Sequence, residues 1–423
     1  MTHQDSSASP AGYGWRRLVD VATTAPYSWY LLGQAADTIA LWMQRLALGW
    51  LVWELTQSAA WLGSVSFLKF APTMVLGLFG GVLADRFSRG HIVLAAQAVT
   101  VLKAVLVVIL LITGGLNLPI LVALMLMVGI ALGLSQASSK TVVNELVSRD
   151  RLGAAIALNS VVFNVSQLIG PALAGLMLVF FGMIACFVVI ALLFAVNFAV
   201  FTFILPHIRN AARPSSEPMF RSIATALGFC MRHPAIAPLL VLHLAFTFAV
   251  RPILDMLPAF AGGVLNEGID AVSLLTSTVG AGAIISGLYL AGRRPGPGLL
   301  GIVLASMVVL GVAMLGFAMA PTLLIALPLA ALIGGGMTVR AAGIQTLIQL
   351  SATEDLRGRV MSIFGLFLNS GAALGGLGVG LLADAIGLRQ AIALSAIASL
   401  LVLAIVMLRR RQMRDAVESK DMS

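Results

Sequence analysis

The sequence predicts an all-α integral membrane protein, with twelve transmembrane helices in two pseudo-symmetric six-helix bundles. Three observations carry that expectation. Of 423 residues, 60% are hydrophobic and only 10% charged, with a mean hydropathy of +1.02; a soluble domain needs roughly a quarter of its residues charged to cover its surface. The apolar runs are continuous over about 20 residues, the length one helix needs to cross a hydrocarbon core of about 30 Å, whereas barrel strands would alternate over about ten. Arginine gathers at every second connection between those runs.

Taken in order, apolar runs bounded by Gly, Pro or charge cover Pro26–Leu55, Ala59–Ala84, His91–Thr113, Leu118–Lys140, Leu152–Phe181, Met183–Leu205, Pro234–Phe260, Ala271–Ala291, Gly298–Ala320, Thr322–Ile344, Gly358–Ile386 and Leu388–Leu408. An even number of crossings puts both termini on one side. Arg16/Arg17, Arg86/Arg89, Arg149/Arg151, the group from Arg209 to Arg232, Arg293/Arg294, Arg357/Arg359 and Arg409 to Arg414 fall at alternate connections, and the others carry only Arg389. Positive charge is retained in the cytoplasm, so the termini and the long sixth connection are expected there. The resulting organisation is a cytoplasmic tail (1–25), a first bundle (26–205), a cytoplasmic loop (206–233), a second bundle (234–408) and a cytoplasmic tail (409–423).

The halves resemble each other. At an offset of 205 residues Gly153 meets Gly358, Asn164 meets Asn369, Gly170 meets Gly375, Gly175 meets Gly380 and Gly182 meets Gly387. One ungapped register linking the fifth and eleventh helices points to duplication about an axis along the membrane normal, a mark of secondary transporters.

The connection after the second helix concentrates charge in an apolar chain: Gly81-Val82-Leu83-Ala84-Asp85-Arg86-Phe87-Ser88-Arg89-Gly90. It resembles the G-x-L-A-D-R-x-G-R-K/R signature of the Major Facilitator Superfamily, with Ser88 and Gly90 departing from it. Residues Trp29 to Arg89 are similar to the first two helices of the bacterial efflux branch that includes enterobactin exporters and macrolide efflux proteins. The resemblance implies that Asp85 faces the start of the eleventh helix, near Gly358, where unpaired N–H groups and about half a positive charge favour a carboxylate. Gly81, Asp85, Arg86 and Arg89 would then form a cytoplasmic gate that breaks when that side opens; as topology markers alone, the arginines would leave Asp85 unexplained. In the fifth helix Ser166, Gly170, Pro171 and Gly175 resemble the antiporter motif G-x-x-x-G-P-x-x-G-G, with Ser166 and Ala174 in place of two glycines. Small residues there let helices five and eight approach, and Pro171 adds a kink.

Charges inside a span cost about 2.5–3.5 kcal/mol on insertion scales and should face a cavity or a partner. Gln34, Asp37, Gln44 and Arg45 stripe the first helix, and Ser160, Asn164 and Gln167 the fifth. His243, Thr247, Arg251 and Asp255 recur every fourth residue in the seventh, where Arg251 and Asp255 are spaced to pair across one turn. Lys69 and Arg340 lie well inside helices two and ten, where a cation would attract an anionic substrate or pair with a neighbouring helix; Lys103 is expected to snorkel or pair. Asp37 is the candidate proton carrier, with a fixed salt bridge to Lys140 or Arg45 as the alternative.

Other classes lack their motifs. The stretch Gly133 to Thr141 (GLSQASSKT) has neither the glycine nor the spacing of a phosphate loop, Gly375 to Gly380 is no dinucleotide fingerprint, and no metalloprotease or serine-hydrolase motif appears. Cys186 and Cys230 form no metal or disulfide pattern. The +9 net charge is scattered between apolar runs with no extended basic face, which argues topology instead of nucleic acid. The expectation is a monomeric, cofactor-free and metal-free secondary transporter in a bacterial inner membrane. It would export a drug or siderophore against protons, with membrane lipid as its only other partner. An importer or lipid flippase on the same fold, or a transport-inactive receptor or scaffold, are the alternatives.

Overall fold

The computed structural model describes residues 19–148, 151–208, 219–293 and 298–418; within these, the side chains of 74–75, 77–86, 137, 140–141, 144, 219–224, 226, 354–355 and 416–418 lie outside the description. Gly81, Asp85 and Arg86 of the charged connection, and Lys140, therefore enter only through the course of their helices.

The membrane-spanning helices are α1 (Tyr27–Thr56), α2 (Ala59–Arg86), α3 (Arg89–Ile112), α4 (Leu118–Leu146), α5 (152–181), α6 (183–204), α7 (Ile236–Ala259), α8 (Ile269–Ala291), α9 (Leu299–Met319), α10 (Leu323–Ser351), α11 (Glu354–Ile386) and α12 (Leu388–Met407). Among the described residues nine helical segments are long and apolar enough to span a bilayer by composition alone, and one of these is α5 and α6 run together. The α1 helix is diluted by Gln34, Asp37, Gln44 and Arg45, yet its 30 residues suffice for a crossing. Twelve crossings bring both ends of the chain to one face, here the termini side; the opposite face is the far side.

Local chemistry sets the turns. Asn117 caps α4, its side-chain oxygen accepting from the Ile120 N–H at 3.1 Å, and Pro119 fills a position whose N–H needs no partner. The α5–α6 and α11–α12 corners turn on Gly182 (φ +82°) and Gly387 (φ +93°), in the left-handed region where a side chain is strained. These two residues are the pair matched at the 205-residue offset, so the duplication extends to backbone conformation. No break marks Pro171: the one non-helical residue between Leu152 and Ile204 is Gly182.

Glycine sets the closest packing. A Cβ on Gly282 of α8 would strike the backbone of Ala331 in α10, and one on Gly334 of α10 would strike Val279 in α8. Such small-residue seams replace the hydrophobic drive that lipid cannot supply. The connection at 206–233 contains an amphipathic helix, Met219–Arg232, packed against α7 and α11. The α4 and α10 helices run past the expected ends at Lys140 and Ile344, to Leu146 and Ser351, and residues Arg410–Glu418 of the last tail are helical.

The halves meet along α2 with α11, α5 with α8, and α1 with α7. These contacts concentrate toward the far side. Gly63 of α2 abuts the Gly376 carbonyl of α11, and the Ser273 hydroxyl of α8 donates to the Pro171 carbonyl of α5 at 3.0 Å. At the termini side, Gly153, Gly358 and Gly365 have open space beside them, and Ser160 and Asn164 are exposed. The molecule is shut on its far side and parted on its termini side.

Candidate functional site: a charged cavity between the halves

Between the halves lies a cavity of about 290 Å³. Leu41, Trp42, Leu48, Leu62, Val65, Phe70 and Phe163 give it an apolar wall, and Gln44, Arg45, Ser66, Lys69, Arg251 and Asp255 supply its polar groups. The Trp42 and Phe163 rings meet edge to face at 5.8 Å, and the Arg45 guanidinium lies 5.4 Å from the Trp42 ring centre.

An ion pair across the halves anchors it. Arg45 of α1 donates from Nη2 to Asp255 Oδ1 of α7 at 2.7 Å and from Nε to the same oxygen at 2.9 Å, with side chains 22% and 14% exposed. The pair expected within α7, Arg251 with Asp255, is thus not the one made. At four-residue spacing both side chains point toward the cavity, and the Arg45 fork reaches the carboxylate from the facing helix with better geometry than a neighbour one turn away.

The remaining polar residues divide into two groups. Lys103 is not snorkelling: it is 2% exposed in the first half and donates from Nζ to Gln44 Oε1, with its ammonium 5.4 Å from the Phe194 ring centre. Asp37 accepts from Asn197 Nδ2 at 3.0 Å and is within 4 Å of no cation among the described residues, so neither the Arg45 nor any other described salt bridge is made. His243 and Arg340, candidates for the cavity wall or for pairing with a neighbouring helix, take the second role. They are 0% and 3% exposed, and join α7 to α10: Arg340 Nη1 lies 3.2 Å from His243 Nδ1 and 3.3 Å from Thr247 Oγ1. Gln34 takes a hydrogen bond from Tyr30, Asn164 donates to its own helix at Ser160, and neither these nor Gln167 line the described cavity. Ser166 faces α1, sharing a 2.8 Å hydrogen bond with Thr38, while Gly170 lies against the Trp42 Cβ and Gly175 against Ser273.

At the termini side Arg89 meets Glu145, in the turns of α4 beyond the apolar span, at 3.5 Å within its own half.

A contact that the sequence reading passed over holds the far side. Asp384, in the last turn of α11, accepts from the Ser58 hydroxyl at 2.6 Å through Oδ2 and from the Ala60 N–H at 3.1 Å through Oδ1, at the start of α2. The signal was present: Gly380-Leu381-Leu382-Ala383-Asp384 repeats Gly81-Val82-Leu83-Ala84-Asp85. The 205-residue register conceals it, because that register aligns α11 with α5 and not with α2.

Two helical bundles joined mainly on one side around a charged central cavity define a secondary-transporter architecture. The chain belongs to the transmembrane secretion effector family of the Major Facilitator Superfamily, whose model matches residues 25–423. Its members are transporters, not enzymes. The chain is 25% identical over 362 residues to the multidrug efflux pump Tap of Mycolicibacterium fortuitum, covering 81% of this chain and 85% of that one. It is 20% identical over 281 residues to the staphyloferrin A transporter of Staphylococcus aureus (65% and 69% covered). Among solved structures, a bacterial homolog of the human lysosomal transporter Spinster, inward-facing and unoccupied, superposes with a TM-score of 0.73 at 13% identity, covering 93% of this chain and 99% of that one. At that identity the likeness shows the fold.

Proposed function

We propose that this transporter exports a small amphipathic molecule, a drug or siderophore, in exchange for protons, by rocking its two halves about the central cavity. The carrying observation is a cavity with an apolar wall from the first half and charged groups from both, closed on the far side and parted on the termini side. Alternate-loop arginines support a cytoplasmic termini side, and the bacterial relatives support an inner membrane, so the parted mouth would accept cargo from within. The efflux named for the relative in Mycolicibacterium fortuitum supports the outward direction. Asp37 is the candidate proton site because Asp255, the other carboxylate deep in α1 or α7, is already committed to Arg45, whereas the hydrogen bond described for Asp37 is to a neutral amide and Lys69 and Lys103 act on it only at longer range. A neutral partner lets a carboxyl gain and lose a proton without stranding a cation. Asp85 would meet the start of α11 when the cytoplasmic side closes. No second subunit enters the mechanism.

The test is expression in an efflux-deficient host with a panel of labelled compounds. Lower accumulation of at least one compound, restored by an uncoupler, is the expected result. Higher accumulation would instead mark an importer, and binding without flux a receptor.

A further inference from the structure

The cavity's polar groups are unbalanced. Arg45, Lys69 and Arg251 bring three cations to it, and Asp255 is the one carboxylate, already joined to Arg45. Among the described residues no carboxylate oxygen lies within 4 Å of Lys69 or Arg251. Neither cation escapes by snorkelling. Lys69 is ten residues into α2, about 15 Å along the helix from its far-side end and farther from the other, and Arg251 lies fifteen residues from the start of α7 and eight from its end, about 12 Å along the helix from the nearer. Hydrogen-bonding capacity leans the same way. The ammonium of Lys103 can only donate, so Gln44 turns its oxygen to it and keeps two N–H donors for other partners. Against these donors the cavity offers few acceptors beyond Asp255 and the Ser66 hydroxyl. Cations at such depth are costly to insert, and although Asp255, and for Lys69 also Asp37, act on them at longer range, neither cation is held in a direct ion pair among the described residues.

We infer that the cavity is built to hold an amphipathic anion, its acidic group between Lys69 of the first half and Arg251 of the second and its apolar part against Trp42, Phe70 and Phe163. This rests on the export reading and adds the charge of the cargo. One cation from each half means that the anion itself ties the halves together. Its acidic group also competes with Asp255 for Arg45, so binding would loosen the ion pair that joins α1 to α7 and ease the exchange between the two openings. The acceptor-rich group suits a carboxylate or sulfonate, matched by the forked guanidinium and the ammonium.

The experiment uses the full-length protein in phosphatidylcholine nanodiscs, titrated by fluorescence with three dansyl probes of nearly equal size: dansylglycine (anionic), dansylglycinamide (neutral) and dansyl-ethylenediamine (cationic). Dansylglycine should bind at least roughly tenfold more tightly than the amine, as expected for a charge-assisted contact. The preference should vanish in the double variant Lys69→Gln/Arg251→Gln and persist in Lys69→Arg/Arg251→Lys. Equal or tighter binding of the amine, or no binding of dansylglycine, overturns the assignment. If the glutamine variant fails to fold, the ranking of the three probes on the wild-type protein and on the charge-keeping variant decides alone. A failure of the export reading is distinct: the anion ranking would hold in nanodiscs while no labelled compound changed its accumulation in cells.

Discussion

At the residue scale, the Arg45–Asp255 pair is the contact most exposed to test. Both partners are largely removed from water, and two further cations stand nearby. Asp255→Asn would leave three cations facing one another, and should lower stability by about 3 kcal/mol, the low end for breaking a buried ion pair because both side chains keep some contact with solvent. Thermal unfolding of the detergent-purified protein should show Asp255→Asn alone as worse than the double variant with Arg45→Gln, because removing both charges relieves the stranded one. Strictly additive losses would mean that the two side chains do not depend on each other. Asp37→Asn makes a different prediction, since its partner Asn197 is neutral and can rearrange to bond an amide. Folding should survive, whereas flux driven by an imposed proton gradient should fall to background in proteoliposomes; retained gradient dependence would remove Asp37 as the carrier. The sequence supplied both residue types and their helical faces. It could not supply the choice of partner: Arg45 and Asp255 are 210 residues apart, and only the docking of α1 on α7 shows that Asp255 turns to the other half instead of to Arg251.

At the element scale, the carboxylate of Asp384 is poorly placed for its own helix and well placed for another. A negative charge in the last turn of α11 is disfavoured by that helix's partial negative end, and the same charge at the first turn of α2 is favoured. With two hydrogen bonds at 2.6 and 3.1 Å it acts as a cap borrowed from the opposite half. Asp384→Asn keeps the shape and removes the charge. It should leave expression intact and raise the labelling rate of a far-side cysteine probe placed in the α2–α11 seam, by roughly fivefold for a loss of about 1 kcal/mol; unchanged labelling would show the cap to be incidental. Asp85 occupies the matching position in the Gly81–Asp85 repeat at the other end of α2, and Asp85→Asn should abolish transport while expression is preserved; full transport by that variant would remove the cytoplasmic latch. Helix boundaries were readable because lipid forces every backbone group into a continuous helix. The amphipathic helix at Met219–Arg232 was missed because it needs no such length, and the burial of His243 with Arg340 because α7–α10 packing, not helical spacing, decides which polar stripe meets water.

At the scale of the whole molecule, the two Gly-x-Leu-Ala-Asp repeats, Gly81–Asp85 and Gly380–Asp384, suggest one lever with a carboxylate at each end. The α2 and α11 helices run antiparallel across the membrane, so the C-terminal turn of α11 lies beside the first turn of α2 on the far face, and the two exchange these roles at the termini side, where the halves are parted. When the far side is shut, Asp384 is seated on α2, as found here; swinging the halves to shut the termini side must draw Asp384 off Ser58 and Ala60. A covalent tie in place of that contact therefore blocks one state and spares the other. Ser58→Cys with Asp384→Cys places two thiols where side-chain tips now stand 2.6 Å apart, and the native Cys186 and Cys230 are buried and should not compete. Oxidation should stop efflux in cells or vesicles and reduction should restore it, while binding of a cavity ligand from the termini side continues in the oxidised form. Undiminished efflux with the disulfide formed, verified by a mobility shift on a chain cleaved between the halves, would mean that the far side need not open, and the rocking mechanism would fall with it.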